Sequence, residues 1–194
     1  MARIPFFLLV LFVIYSCSKA ETTVTPDATS PPDEMQTEEV SSYLVTAEPA
    51  VSHTAAFLTS ILDLVATDED FNLQEIIRHK IIYNTLDSEN NPIEASGVLF
   101  LPTENTELRG IVSLQHSTLQ SDAMAPSNSS IGINEYTVAA FFAAIGYLTV
   151  LSDHIGYGTT RESRHAYEVK SAYTTVPYDL LLASKDFLNE NEID

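Results

Sequence analysis

The stretch Gly146-Tyr-Leu-Thr-Val-Leu-Ser-Asp-His-Ile-Gly-Tyr-Gly158 decides how this chain folds. Apolar and β-favouring residues fill Tyr147 to Leu151, which predicts a short strand. The run stops at Ser152, Asp153 and His154, and Gly156 and Gly158 supply turn backbone. Just upstream, Asn134-Glu-Tyr-Thr-Val-Ala-Ala-Phe-Phe-Ala-Ala-Ile145 predicts a helix. Asn134 is its expected N-cap, Glu135 suits the positive helix start, and Gly146 supplies the left-handed C-terminal cap. Further back, Ile111-Val-Ser-Leu114 predicts another strand, ending in Gln115, His116, Ser117 and Thr118. Its near-continuous apolarity suits a strand covered on both faces. A loop of roughly fifteen to twenty residues joins it to the helix, a length usually explained by function or disorder.

Strand, helix and strand at this spacing make a βαβ unit, so the two strands are expected to be parallel neighbours. Ligands of open α/β sheets bind beyond the carboxyl ends of strands. The bend at His116, Ser117 and Thr118 and the bend from Ser152 to Gly158 are therefore expected to share one rim. Residue types alone leave humbler readings open. His116 also suits a hydrogen-bonded structural histidine, and Asp153 a turn carboxylate capping backbone donors.

Working outward, Ile76 to Leu86 and Ile93 to Leu101 predict a hairpin, with a turn over Asp87 to Pro92 and a stop at Pro102. Phe57, Leu58, Ile61, Leu62 and Val65 recur at helical spacing, which predicts an amphipathic helix from about His53. Leu180, Leu181, Ser184, Phe187 and Leu188 make one face of a last helix, expected from Pro177 to Asn189. Pro177 cannot donate within a helix, so it either opens this one or kinks a longer one starting near Val169.

The N-terminus reads as targeting sequence. Arg3 precedes an apolar run from Ile4 to Tyr15, too short for a stable membrane anchor and suited to a signal-peptide core. Val13-Ile-Tyr-Ser-Cys-Ser-Lys19 resembles the lipobox of bacterial lipoproteins, with Cys17 as the lipidated residue. Residues 1–17 are thus expected to be a signal peptide. Residues 18–50, rich in Thr, Ser, Pro and acid, are expected to be a disordered tether. Residues 51–194 are expected to form the folded domain. The implied location is the bacterial cell envelope or the exterior, with a lipid anchor in the membrane.

Composition narrows the function classes. The 194 residues carry 27 acidic and 9 basic side chains, a net charge of −18. No basic footprint for nucleic acid exists. Hydrophobic residues make up 45%, enough for a packed core. The single cysteine excludes an intrachain disulfide. His53, His79, His116, His154 and His165 show no metal-ligand spacing, so no metal is expected.

Ile111-Val-Ser-Leu-Gln-His-Ser-Thr118, followed by Gly146 to Gly158 and His165-Ala-Tyr167, resembles the α/β-hydrolase superfamily. Within it, the likeness is to the secreted lipase and esterase branch of bacteria and fungi. It covers Ile81 to roughly Leu188 and implies the N-terminal portion of that α/β fold: an antiparallel hairpin leading into parallel strands with flanking helices. The resemblance places part of an oxyanion hole at His116, Ser117 and Thr118, with Ser117 where many relatives have glycine. Asp153 matches the family's aspartate, His154 replaces its usual aromatic residue, and Ser152 replaces proline. Gly156, Tyr157 and Gly158 would fold back beside the nucleophile turn, and His165 and Tyr167 would pack the next segment. These are structural roles, not proton transfer.

The family's nucleophilic serine sits in Gly-x-Ser-x-Gly, followed by an acid and then a histidine. No such motif occurs here; Glu94-Ala-Ser-Gly-Val98 and Ala125-Pro-Ser-Asn-Ser-Ser130 lack the flanking glycines. The resemblance therefore implies a nucleophile, acid and catalytic histidine in sequence beyond Asp194, and an inactive fragment up to that point. It also implies an exposed apolar edge at Ile111 to Leu114, where the nucleophile strand would pair. The implied activity of the parent is hydrolysis of a small ester or lipid with no dissociable cofactor. A peptidase of the same superfamily, or a non-catalytic surface lipoprotein using the fold for binding, are the alternatives.

Overall fold

The computed structural model describes residues 42–48, 51–64, 71–103, 107–132 and 134–193. The expected signal segment, Cys17 and most of the expected tether lie outside the described residues, as does Val65. In chain order the elements are β1 (Leu44–Ala47), β2 (Val51–His53), α1 (Ala55–Leu64), β3 (Ile76–Leu86), β4 (Pro92–Pro102), β5 (Ile111–Leu114), α2 (Asn134–Ala144), β6 (Leu148–Ser152) and α3 (Lys170–Glu190). The sheet runs β1-β3-β4-β6-β5, with β2 also pairing on β3. Among the described residues only β5 and β6 pair in parallel; β1 and β2 pair with β3, β3 with β4, and β4 with β6, all antiparallel.

Alternation along β4 explains the layers. Leu99 and Leu101 pack with Ile81, Tyr83, Val150 and the α3 residues Val176, Leu180, Ala183 and Phe187. Val98 and Phe100 face the other way, onto Leu58, Tyr136 and the alanines Ala139, Ala140, Ala143 and Ala144 of α2. A β-carbon on Gly97 would lie 2.8 Å from the Leu151 carbonyl oxygen and 2.9 Å from the Leu180 side chain. Only glycine lets α3 and β6 approach β4 this closely.

The parallel pair follows from the crossover. β5 and β6 align Ile111 with Leu148 and Leu114 with Leu151. Gly146 ends α2 at φ 104. Its N–H donates to the Ala143 carbonyl and that of Tyr147 to the Phe142 carbonyl, which closes the helix and starts β6 one residue later than expected.

Three expectations need correction. The tether does not reach Ala50, because Leu44–Ala47 is a strand paired with β3. The Thr/Ser/Pro-rich composition of the whole stretch hid a local β-favouring run. The last helix begins at Lys170, and Pro177 lies buried inside it. The missing donor costs about 3 kcal/mol. Burial of Val176, Leu180 and Phe187 on the same helix, at about 1.5–3 kcal/mol each, offsets that. Finally, β5 is not covered on both faces. Ile111 is 58% exposed, and β5 is the end strand among the described residues. Of the apolar edge implied by the resemblance, Ile111 is exposed, while Val112 and Leu114 are half-buried. Among the described residues no helix is long and apolar enough to cross a membrane.

Candidate functional site

The β5–β6 register sets the two bends side by side. The His116 Nε2 lies 3.1 Å from the Asp153 carbonyl oxygen, and its Nδ1 lies 2.7 Å from the Ser117 carbonyl oxygen. The His116 ring centroid is 4.8 Å from that of His154 and 6.1 Å from that of Tyr157. The bends expected to share a rim do share one, and the His116 ring is the bridge between them.

The first bend is lightly held. The Ser117 N–H donates to Glu135 Oε1 at 2.9 Å. Hydrogen bonds from Ser117, opposed by partial burial, hold the Glu135 carboxyl below the ordinary glutamate range. Thr118 Oγ1 and the Tyr167 hydroxyl are 3.5 Å apart. Ser117 and Thr118 are exposed.

The second bend is buried and cross-linked. Asp153 Oδ1 accepts the Ser127 N–H at 2.7 Å, and Oδ2 accepts the Ser96 hydroxyl in a short bond. The Thr159 N–H donates to the same Ser96 oxygen at 2.9 Å. Burial pushes the Asp153 carboxyl above the ordinary aspartate range, against the lowering effect of Ser127 and Ser96. Its partners are a backbone amide and a hydroxyl, the behaviour of a turn carboxylate that gathers donors. Gly158 has φ 60, and a β-carbon there would overlap the Asp153 carboxylate and the Ser96 hydroxyl. Gly156 has φ 96, and a β-carbon there would lie 2.6 Å from the His165 Cα. Both glycines are required by close approach as well as by conformation.

Ser152 ends β6 with its hydroxyl 3.0 Å from the Tyr83 hydroxyl and accepts the His154 N–H at 3.1 Å. His154 is buried at φ 61, with its ring 4.7 Å from Tyr173. Burial first, then the neighbouring His116 and His165, push its pKa down to about 3. Its Nε2 has no hydrogen-bond partner among the described residues. His165 Nδ1 sits 2.7 Å from the Ile155 carbonyl oxygen. Tyr167 is 55% exposed.

The long loop after Thr118 is folded rather than free. It forms single 3-10 turns at Asp122–Met124 and Pro126–Asn128. The Gly158 N–H donates to Asp122 Oδ1 at 2.6 Å, and the Tyr157 hydroxyl donates to the Leu119 carbonyl at 3.1 Å. Sequence reasoning missed Ser96, Asp122 and Ser127 as partners of the second bend. Asp122 carried a signal, being the one acid in an otherwise neutral loop. Ser96, inside a buried strand, carried only its polarity. Glu135 read as a helix-start residue but also clamps the Ser117 amide.

A cleft of ≈ 330 Å³ opens beside the rim, bounded by His116, Thr118, Tyr157, Tyr167, Glu168 and Tyr173 among others. Among the described residues no group of three or more His, Cys, Asp or Glu could hold a metal ion. No serine hydroxyl among them is bonded to a histidine ring, so no nucleophile–base pair is formed there. The Ser117 N–H at the first bend is held by Glu135, and the cleft beside it is walled by Tyr157, Tyr167 and Tyr173.

A long antiparallel hairpin feeding a mixed sheet, with a helical crossover into a parallel pair and helices on both faces, is an α/β-hydrolase-like fold. Solved structures share it. A Legionella pneumophila protein provisionally classed as a hydrolase superposes with a TM-score of 0.67 at 24% identity, over 78% of this chain and 41% of that one. A variant of the rice cell wall degrading esterase LipA from Xanthomonas oryzae gives 0.67 at 21% identity, over 78% and 39%. A ligand-bound form of the same esterase gives 0.61 at 19% identity, also over 78% and 39%. The chain thus spans about two fifths of the length of these structures. No protein-family model and no curated protein matches its sequence.

Proposed function

We propose that this chain is the N-terminal part of an exported serine hydrolase acting on carboxylic esters. The supporting observation is the His116 contact with the Asp153 carbonyl, which joins two bends at the carboxyl ends of parallel strands. In this reading the turn from His116 to Thr118 contributes N–H donors to the developing oxyanion. The nucleophilic serine, acid and histidine lie in sequence beyond Asp194. Acyl transfer proceeds through a covalent serine ester that water then hydrolyses.

The test compares the 194-residue chain with the product of the longest reading frame that contains it. Both are treated with a serine-reactive fluorophosphonate and assayed on 4-nitrophenyl acetate. Labelling and turnover are expected only in the longer product, on a serine beyond residue 194. Turnover by the 194-residue chain that one serine substitution abolishes overturns the proposal. So does the absence of labelling in the longer product.

Export through a lipid anchor is proposed from Arg3, the apolar run and Cys17. Cys17→Ala is expected to move the protein from the membrane to the soluble fraction, and unchanged membrane association would sink the anchor. A second reading, a binding module without catalysis, draws on one observation: the Ser117 amide is already taken by Glu135. That reading expects no fluorophosphonate labelling in either protein.

A further inference from the structure

The cleft beside the rim has a chemistry that acyl transfer by itself does not require. Tyr157, Tyr167 and Tyr173 all border it, together with His116 and His165. The Tyr157 and His165 ring centroids are 4.9 Å apart, and those of His165 and Tyr167 are 5.9 Å apart. Burial, then the nearby Tyr167 and Tyr157 hydroxyls, hold the Tyr173 phenol above its ordinary value. The volume, ≈ 330 Å³, falls at the lower end of the roughly 300–1,000 Å³ usual for small-molecule sites.

Two further features bear on the cleft. His154, against Tyr173, and Glu168, on the wall, have left-handed backbone at φ 61 and φ 58 without being glycine. Such conformations persist only where the surroundings impose them, and they gather at functional sites. Glu168 also puts an acid on the wall, and aromatic faces carry negative potential. Both disfavour an anionic ligand. Thr118 Oγ1 and the Tyr167 hydroxyl leave polar atoms at the edge that can orient a ligand.

We propose that this cleft is a subsite for the aromatic ring of an uncharged aryl ester, held against the Tyr167 and Tyr173 rings. The proposal rests on the hydrolase reading for the ester group alone. Ring stacking on tyrosine and exclusion of the free acid by Glu168 supply the selectivity.

The experiment titrates the ¹⁵N-labelled 194-residue chain, followed at the Thr118 and Tyr167 amides, with four probes. Methyl 4-hydroxycinnamate carries the ring on the acyl side and phenyl acetate on the alcohol side. Methyl cyclohexanecarboxylate is similar in bulk to the ring ligands without π electrons, and 4-hydroxycinnamate is the free acid. Saturable shifts are expected for the aryl esters, about three- to tenfold tighter than for the cyclohexyl ester. The tighter of the two aryl esters identifies the side of the ester that enters. The free acid is expected to bind several-fold more weakly than its methyl ester and to recover in Glu168→Gln. Tyr167→Ala is expected to lose the aryl preference and Tyr167→Phe to keep it. The dispersed amide spectrum of each variant reports that it remains folded.

A cyclohexyl ester that binds as tightly, a Tyr167→Phe variant that loses as much as Tyr167→Ala, or no saturable shift in the folded chain overturns the subsite. Serine labelling of the longer product is read separately. Lost aryl selectivity with labelling retained removes the subsite and leaves the hydrolase; aryl selectivity without labelling does the reverse.

Discussion

The two bends that meet at His116 are built in opposite ways. After β6, Asp153 is fully buried, both of its carboxylate oxygens are bonded, and Gly156 and Gly158 leave no room for a side chain. After β5, Ser117 and Thr118 are exposed, and Ser117 is held by the Glu135 carboxylate on its amide and the His116 ring on its carbonyl. One bend is buried and cross-linked, and the other lies at the surface. A rim of this kind keeps its position through the first and can adjust through the second.

The largest test of that contrast is Gly158→Ala. The new β-carbon collides with Asp153 and Ser96 at a left-handed φ. A loss of about 4 kcal/mol or more is expected in urea unfolding. An effect below about 1 kcal/mol would show that the second bend is as adaptable as the first. Asp153→Ala comes next. It strands the Ser127 N–H and the Ser96 hydroxyl in a dry site, at about 3 kcal/mol. Glu135→Ala, at the exposed bend, is expected to cost far less and to speed amide exchange at Ser117.

Acid separates the two carboxylates by sign. Burial raises Asp153, so its contribution to stability is full below the unfolded aspartate value and lost as pH rises through the higher folded value. Hydrogen bonds from Ser117 lower Glu135, so its contribution is present above the unfolded glutamate value and lost as pH falls through the lower folded value. Urea midpoints measured across the acid range should therefore lose a falling segment above the ordinary aspartate range in Asp153→Asn. They should lose a rising segment below the ordinary glutamate range in Glu135→Gln. Identical profiles for both variants would erase the distinction.

The smallest stability effect is expected at the sheet edge. Ile111→Lys should change stability by about 0.5 kcal/mol or less, because Ile111 is 58% exposed. It should nevertheless reduce light scattering at high concentration, since a charge blunts an open strand edge.

The pattern of what the sequence disclosed follows from the range of the interactions. The hairpin, the crossover and the rim were legible because apolar runs, caps and glycines act locally. Gly146 and Gly158 announced their backbone directly. The start of α3 near Val169 was legible only as the second of two alternatives, because a buried proline is tolerated through the packing of Val176, Leu180 and Phe187, which no local rule sees. β1 was hidden because its partner, β3, lies tens of residues away, as in the pairing of Leu44 with Tyr83. The Asp153–Ser96 bond was hidden for the same reason: it spans 57 positions and joins β4 to the bend after β6, which meet only in the folded sheet.

The His116–Asp153 contact itself spans 37 positions. It exists only once the crossover helix has docked and two separate strands have zipped in register. A nascent polypeptide that has not yet emerged past residue 153 has no rim to offer. Any compound that prefers the assembled rim therefore favours the finished crossover by mass action, and would act on this protein as a folding aid before it acts as anything else.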